Sequence, residues 1–269
     1  MERFSSRLLI WGVVGFLAQF IDGTLGMGYG AFSATLLIAA GLSPAIASAS
    51  VHTAEIFTTL VSGGSHLFFG NVKKEWLLPL VIPGIIGGIG GAYFISSMPS
   101  STMKPFVAGF LLLLGILVLY RFIRRKAVTA GPQAGSPGEK NSHGLVKSSV
   151  KFPVLGLVAA FMDAVGGGGW GPIATPGLIL TGNTVPRKVI GTVNLAEFFI
   201  TIAESATFMI ILGWEAFDWG LVGALLLGGV IAAPIAAYLC KRLPIKVLGI
   251  LIGLLLVGLN LRTLLMVLS

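Results

Sequence analysis

The chain has 269 residues, 55% hydrophobic and only 10% charged, with a mean hydropathy of +0.94, a formal net charge of +8 and an isoelectric point near 9.9. A soluble domain carries about 25% charged residues, so this composition excludes an ordinary water-soluble fold. The apolar runs that recur from end to end point to an all-α integral membrane protein, since strands of alternating polarity are missing. The basic excess sits mostly between those runs, where a membrane protein stores its orientation. It lacks the aromatic interleaving of a nucleic-acid surface, so no nucleic-acid partner is expected. Cys240 is the single cysteine, which rules out an intrachain disulfide and a cysteine-cluster metal site.

In chain order, a short polar start, Met1 to Arg7, leads into an apolar run from Leu8 to Phe20. That run has no small-residue cleavage site and is read as part of the structure. A glycine-rich stretch from Asp22 to Gly30 follows, then an apolar run from Ala31 to Ala40. Gly41-Leu-Ser-Pro44 forms a turn with proline opening the next helix, which extends to about Phe69. Further spans are expected over Leu77 to Ile95 and Met103 to Ile123, separated by the loop Met98 to Thr102. Residues 124–151 are basic and rich in Gly, Pro and Ser, the composition of a flexible linker.

After residue 151 the pattern repeats. Phe20-Ile-Asp-Gly-Thr-Leu-Gly-Met-Gly-Tyr-Gly30 is matched by Phe161-Met-Asp-Ala-Val-Gly-Gly-Gly-Gly-Trp-Gly171. Both copies have Phe, Asp two residues on, glycine at three matched later places and an aromatic residue before the last glycine. The turn Gly41 to Pro44 recurs as Gly182 to Pro186, Trp76 as Trp219 and Tyr93 as Tyr238. Hence 1–123 and 152–269 are read as two repeats. Glycine clusters inside membrane-length apolar runs break the helix, and interrupted segments at matching places in two halves point to a transporter's binding site.

Leu8 to Ala40 as one helix would be about 50 Å long against a hydrocarbon core of about 30 Å. The broken segment is therefore either one kinked crossing or a re-entrant hairpin. Hairpins put Lys73, Lys74, the linker cations, Arg187, Lys188, Lys241, Arg242 and Lys246 on one side, leaving Arg3, Arg7, Lys104 and Arg262 on the other. That separation is sharper than four crossings per half achieve. The expected fold is two inverted-topology repeats, each a re-entrant broken-helix hairpin plus three transmembrane helices, with a cytoplasmic linker.

Ionisable residues inside spans are costly and usually functional. Asp22 pairs with Asp163 in the breaks, and Glu55 with Glu197 in the following helices, within Ser50-Val-His-Thr-Ala-Glu55 and Thr192-Val-Asn-Leu-Ala-Glu197. His52, Glu55, Thr59, Ser62 and His66 share one helical face, as do Asn194, Glu197, Thr201 and Glu204. The plain reading of Asp22 and Asp163 is helix capping, and that of His52 and His66 is packing with a bond to a backbone carbonyl. Trp76 and Trp219 read as interfacial anchors. Free N–H groups at Gly26, Met27, Gly28, Tyr29 and Gly30, and at Gly167, Gly168, Gly169 and Trp170, would cradle an anion without a fixed cation. Ser50, His52, Thr192 and Asn194 join them as candidate substrate-binding residues. Asp22, Glu55, Asp163 and Glu197 are the candidates for proton coupling. No metal or cofactor is expected, and an intramembrane enzyme is disfavoured because neither His-Glu-x-x-His nor Gly-x-Ser-x-Gly occurs.

At these motifs, Asp22–Gly30, Asp163–Pro172, the turn Gly41–Pro44, Glu55 and Asn194–Glu197, the sequence resembles the sulfite exporter TauE/SafE family of membrane permeases. The resemblance covers both halves and fails only in the linker. It implies a multi-pass protein of the bacterial inner membrane that exports sulfite or a small organosulfonate such as sulfoacetate. The expected partners are that small anion and the lipid bilayer, with a homodimer left open. A transporter or channel for another small anion or solute is the competing reading.

Overall fold

The computed structural model describes residues 2–124, 151–181, 185–240 and 245–268, and nearly all of them are helical. The ten α-helices are α1 (Glu2–Leu25), α2 (Tyr29–Ala39), α3 (Pro44–Phe68), α4 (Leu77–Ser97), α5 (Ser100–Arg124), α6 (Lys151–Gly166), α7 (Trp170–Thr181), α8 (Pro186–Leu212), α9 (Trp219–Leu239) and α10 (Ile245–Leu268). Among the described residues, six helices, α1, α4, α5, α8, α9 and α10, are long and apolar enough to cross a membrane. At 25 residues α3 has the length, but its polar stripe lowers its hydropathy. The expected linker, 124–151, lies outside the described residues except at its two ends.

Local chemistry sets the helix ends. Ser43 accepts from the Ile46 N–H ahead of Pro44 at the first turn of α3, and Asp218 accepts from the Leu221 N–H to start α9. Gly26 and Gly167 stop α1 and α6 with φ of +67° and +69°, a conformation that side chains resist. These two ends are shorter breaks than the sequence suggested. Only Gly26 to Gly28 and Gly167 to Gly169 leave the helical path, so Asp22 and Asp163 sit in the last turns of α1 and α6 and not in the breaks. Each carboxylate reaches forward across its break, which lets the helix continue past it. As a result Leu8–Leu25 alone is an 18-residue stretch long and apolar enough to cross.

Glycine governs the packing. Gly15 and Gly228 bring the backbones of α1 and α9 together, where a Cβ on either would meet the Leu225 or the Gly12 carbonyl. Gly87, Gly91 and Gly156 do the same between α4 and α6. The α1–α9 pair runs parallel, Gly12 beside Ala224 and Gly23 beside Ala236, and so does α4–α6, Gly84 beside Gly156 and Gly91 beside Phe161. The pairs α3–α8 and α5–α10 run antiparallel, His66 beside Gly191 and Gly115 beside Leu256. The first helix of each half thus packs on the fourth of the other. This leaves α3 and α8 in the middle with their polar faces inward, while Leu9, Ile86, Leu113, Ile231 and Leu265 stay exposed on the outside.

Candidate functional site

The two breaks touch. A Cβ on Gly30 would come within 2.6 Å of the Gly167 carbonyl oxygen and the Gly168 Cα, and one on Gly171 within 2.5 Å of the Met27 Cα. At Gly168 it would run into the Ala31 amide nitrogen. Crossing side chains secure the carbonyls at the helix ends. Thr175 donates to the Gly26 carbonyl, Ser48 to that of Ala164 (2.6 Å), and His66 Nε2 to that of Gly23 (3.0 Å).

The amides are also engaged. Asp163 Oδ1 accepts from the Gly169 N–H at 2.6 Å and the Trp170 N–H at 2.9 Å, and so caps α7. Asp22 accepts from the Tyr29 N–H, the matching position at the start of α2, and faces the Asn194 side chain. The half-helix N-termini therefore point at carboxylates of the chain itself, the arrangement a helix dipole favours. An incoming anion must displace these carboxylates to reach the N–H groups. The remaining candidates of the breaks, Met27, Gly28, Gly30 and Gly167, are all buried there.

His52 lies at the centre of the second half of the site. Its Nδ1 is 2.7 Å from the Ser48 carbonyl, an acceptor only, so Nδ1 carries a proton and donates it. Nε2 then faces three carboxylates, with Glu204 Oε2 at 3.0 Å, Asp163 Oδ2 at 3.4 Å and Glu55 Oε2 at 3.9 Å. All four residues are buried. Apart from His52, neither oxygen of Glu204 has a hydrogen-bonding partner among the described residues, nor has Glu55 Oε2 or Asp163 Oδ2. The Phe208 ring closes over His52 with centroids 6.0 Å apart.

The first half of the site holds different groups at matched positions. Asn194 replaces His52, and Ser62, which donates to Asn194 Oδ1, replaces Glu204. His66 stands where the other half has Phe208, and its Nδ1 accepts from Asn71 at 3.4 Å. Glu197 is buried within electrostatic reach of Asp22 and Glu55. Ser50 is buried in α3 with its hydroxyl unpartnered among the described residues.

Not every candidate reaches this centre. Thr192 donates to the Lys188 carbonyl at 2.6 Å and accepts from the Lys73 N–H at 2.8 Å, clamping the turn after α3 onto α8. The Tyr29 hydroxyl reaches the Leu225 carbonyl (3.4 Å) within electrostatic reach of Glu55 and Asp22, and the Trp170 indole N–H reaches the Val193 carbonyl (3.1 Å). Trp76 is buried against Phe152 instead of exposed, whereas Trp219 stacks on Trp214. Glu204 is the group that the sequence reading left out of the site. Its place at the end of the Asn194, Glu197, Thr201 stripe was the available signal.

A family model described as "Sulfite exporter TauE/SafE" matches residues 11–263. The chain is 46% identical over 258 residues, 96% of its length and 83% of the relative's, to a protein of Bacillus subtilis (strain 168) described as probable membrane transporter protein YtnM. A second protein of that organism, described as probable membrane transporter protein YdhB, is 25% identical over 244 residues, 90% of this chain and 92% of the relative. No solved structure matches the chain.

Proposed function

The chain belongs to the sulfite exporter TauE/SafE family of membrane transporters, and from that premise we propose that it exports a small sulfur oxyanion, sulfite or an organosulfonate such as sulfoacetate, across the bacterial inner membrane. One observation carries the reading: two half-helix N-termini meet in the buried interior, each with its N–H groups held by an aspartate of the same chain. The parallel α1–α9 and α4–α6 pairs and the antiparallel α3–α8 and α5–α10 pairs support opposite insertion of the two repeats, the hairpin form of the inverted-repeat architecture.

The anion enters on the first half of the site. Asn194 supplies a neutral amide there, Ser62 a hydroxyl, and the Tyr29 N–H becomes available when Asp22 takes a proton and loosens its hold. Glu197, nearby and equally enclosed, passes that proton. Substrate and proton bind together, because an anion beside an ionised Asp22 would be repelled. A dianion such as sulfite or sulfoacetate carried with one proton leaves one net negative charge, and the membrane potential, inside negative, favours its export by about 2.3 kcal/mol per 100 mV.

The test is flux and binding in proteoliposomes with sulfite, sulfoacetate, sulfate and thiosulfate offered separately. Flux of sulfite or sulfoacetate that rises with an inside-negative potential is the expected result. Indifference to all four sulfur anions, or flux independent of potential, would sink the proposal.

A further inference from the structure

The geometry points to a divalent transition-metal ion held by His52 Nε2, Asp163 Oδ2 and Glu204 Oε2, with Glu55 Oε2 as the fourth ligand. The first three atoms lie within 4.8 Å of one another. Four ligands about 2.0 to 2.1 Å from a tetrahedral zinc stand about 3.3 Å apart. The distances of 3.0 and 3.4 Å from Nε2 to Glu204 and Asp163 fit that spacing, and a small side-chain movement brings in Glu55 from 3.9 Å.

Satisfying every ligand atom favours a metal over a proton. A proton on Nε2 serves one oxygen, or two poorly, and leaves the others among three buried carboxylates without a partner. One ion coordinates all of them. It also reduces a buried charge of three negatives to one, where each unpaired ion costs several kcal/mol. The supporting groups are those of a ligand set. The Ser48 carbonyl accepts from the Nδ1–H and turns Nε2 inward, while the Gly169 and Trp170 amides hold Oδ1 of Asp163 and leave Oδ2 to coordinate. One imidazole with carboxylates suits zinc, manganese or iron better than sodium, magnesium or calcium, which take oxygen ligands alone. Three helices, α3, α6 and α8, contribute, so the ion also ties the halves together. The matched positions of the other half, Asp22, Asn194, Ser62 and Glu197, put an amide in place of the imidazole and a hydroxyl in place of a carboxylate and offer no comparable set among the described residues, so each chain holds one ion here.

The test is metal analysis of the untagged full-length protein in detergent, stripped with a chelator and titrated with zinc chloride. One zinc per chain is expected. Glu204→Gln and His52→Asn should each weaken zinc binding by at least about tenfold, and Glu75→Gln, at an exposed position outside the site, should leave it unchanged. If either variant elutes as misfolded protein, Asp163→Asn replaces it, because its remaining side-chain oxygen still caps α7. Wild-type protein that takes up neither zinc nor manganese above the level of these variants overturns the site, and so does equal affinity in all of them. Binding is read at equilibrium without transport. Zinc-binding protein that carries no sulfite therefore defeats the transport reading alone, and sulfite flux through protein that never binds metal defeats the metal site alone.

Discussion

The two breaks share a backbone and differ in their partners. Both end a helix at a left-handed glycine, both start the next helix on an aromatic residue, and both put an aspartate on the freed N–H groups. Across from Asp163 stand an imidazole and two glutamates, while across from Asp22 stand an amide, a hydroxyl and one glutamate, Glu197. Two matching backbone breaks thus carry one half with three carboxylates around an imidazole and one half whose two carboxylates stand among neutral donors. Carboxylates around an imidazole suit a cation, and the neutral donors suit an oxyanion. An anion and its compensating positive charge can then sit side by side without sharing ligands.

The most severe way to break the comparison is to separate the breaks. Gly168→Val sets a branched side chain against the Ala31 backbone, which cannot yield without moving α2. The expected outcome is loss of the folded, monodisperse protein, read by size exclusion and thermal unfolding. Gly64→Ala is the control, since nothing lies within 4 Å of that position. It should change stability by no more than about 1 kcal/mol, in the stabilising direction that helix propensity predicts.

A smaller intervention tests the half around Asp22 alone. Asp22→Asn keeps an oxygen for the Tyr29 N–H but removes the negative charge, which imitates the protonated carboxylate. Sulfite should then bind with an affinity that no longer weakens as pH rises, whereas the wild type should lose affinity over the range in which Asp22 releases its proton. Calorimetric titrations at several pH values would show it, and parallel pH profiles in the two proteins would remove Asp22 from the coupling. Ser62→Ala acts more weakly. It frees Asn194 to turn, and a lost hydrogen bond of about 1 kcal/mol corresponds to a roughly fivefold drop in sulfite affinity at constant pH dependence.

The element order, the all-helical membrane character and the pairing of Asp22 with Asp163 in matching segments were legible in the sequence, because periodicity and repetition are local signals. The extent of the breaks was not. Glycine density suggested an unwound stretch from Asp22 to Gly30, but Thr24 and Leu25 stay helical, since a carboxylate in the last turn can cap the next helix without leaving its own. The partnership of His52 with Glu204 was hidden for another reason. It depends on the antiparallel register of α3 on α8, fixed by contacts such as Gly63 on Leu195 far along the pair. Helical spacing gives each stripe but not their relative offset. The hydrogen bonding of Thr192 was hidden by the same ambiguity: its match to Ser50 suggested the centre, and the register of α8 sets its hydroxyl against the turn that follows α3.

That displacement supplies the mildest test of the comparison. Thr192→Val keeps the side-chain shape and removes both the donor to Lys188 and the acceptor for the Lys73 N–H. A clamp of this kind is worth about 1 kcal/mol for each bond lost, so the melting temperature should fall modestly. Sulfite affinity should stay within twofold of wild type, because neither bond touches Asp22, Asn194 or Ser62. A melting temperature at the wild-type value together with a tenfold loss of affinity would return Thr192 to the ligand shell. The half of the site around Asp22 would then extend along α8 to the turn that holds Lys73, and its neutral donors would no longer be confined to Asn194 and Ser62.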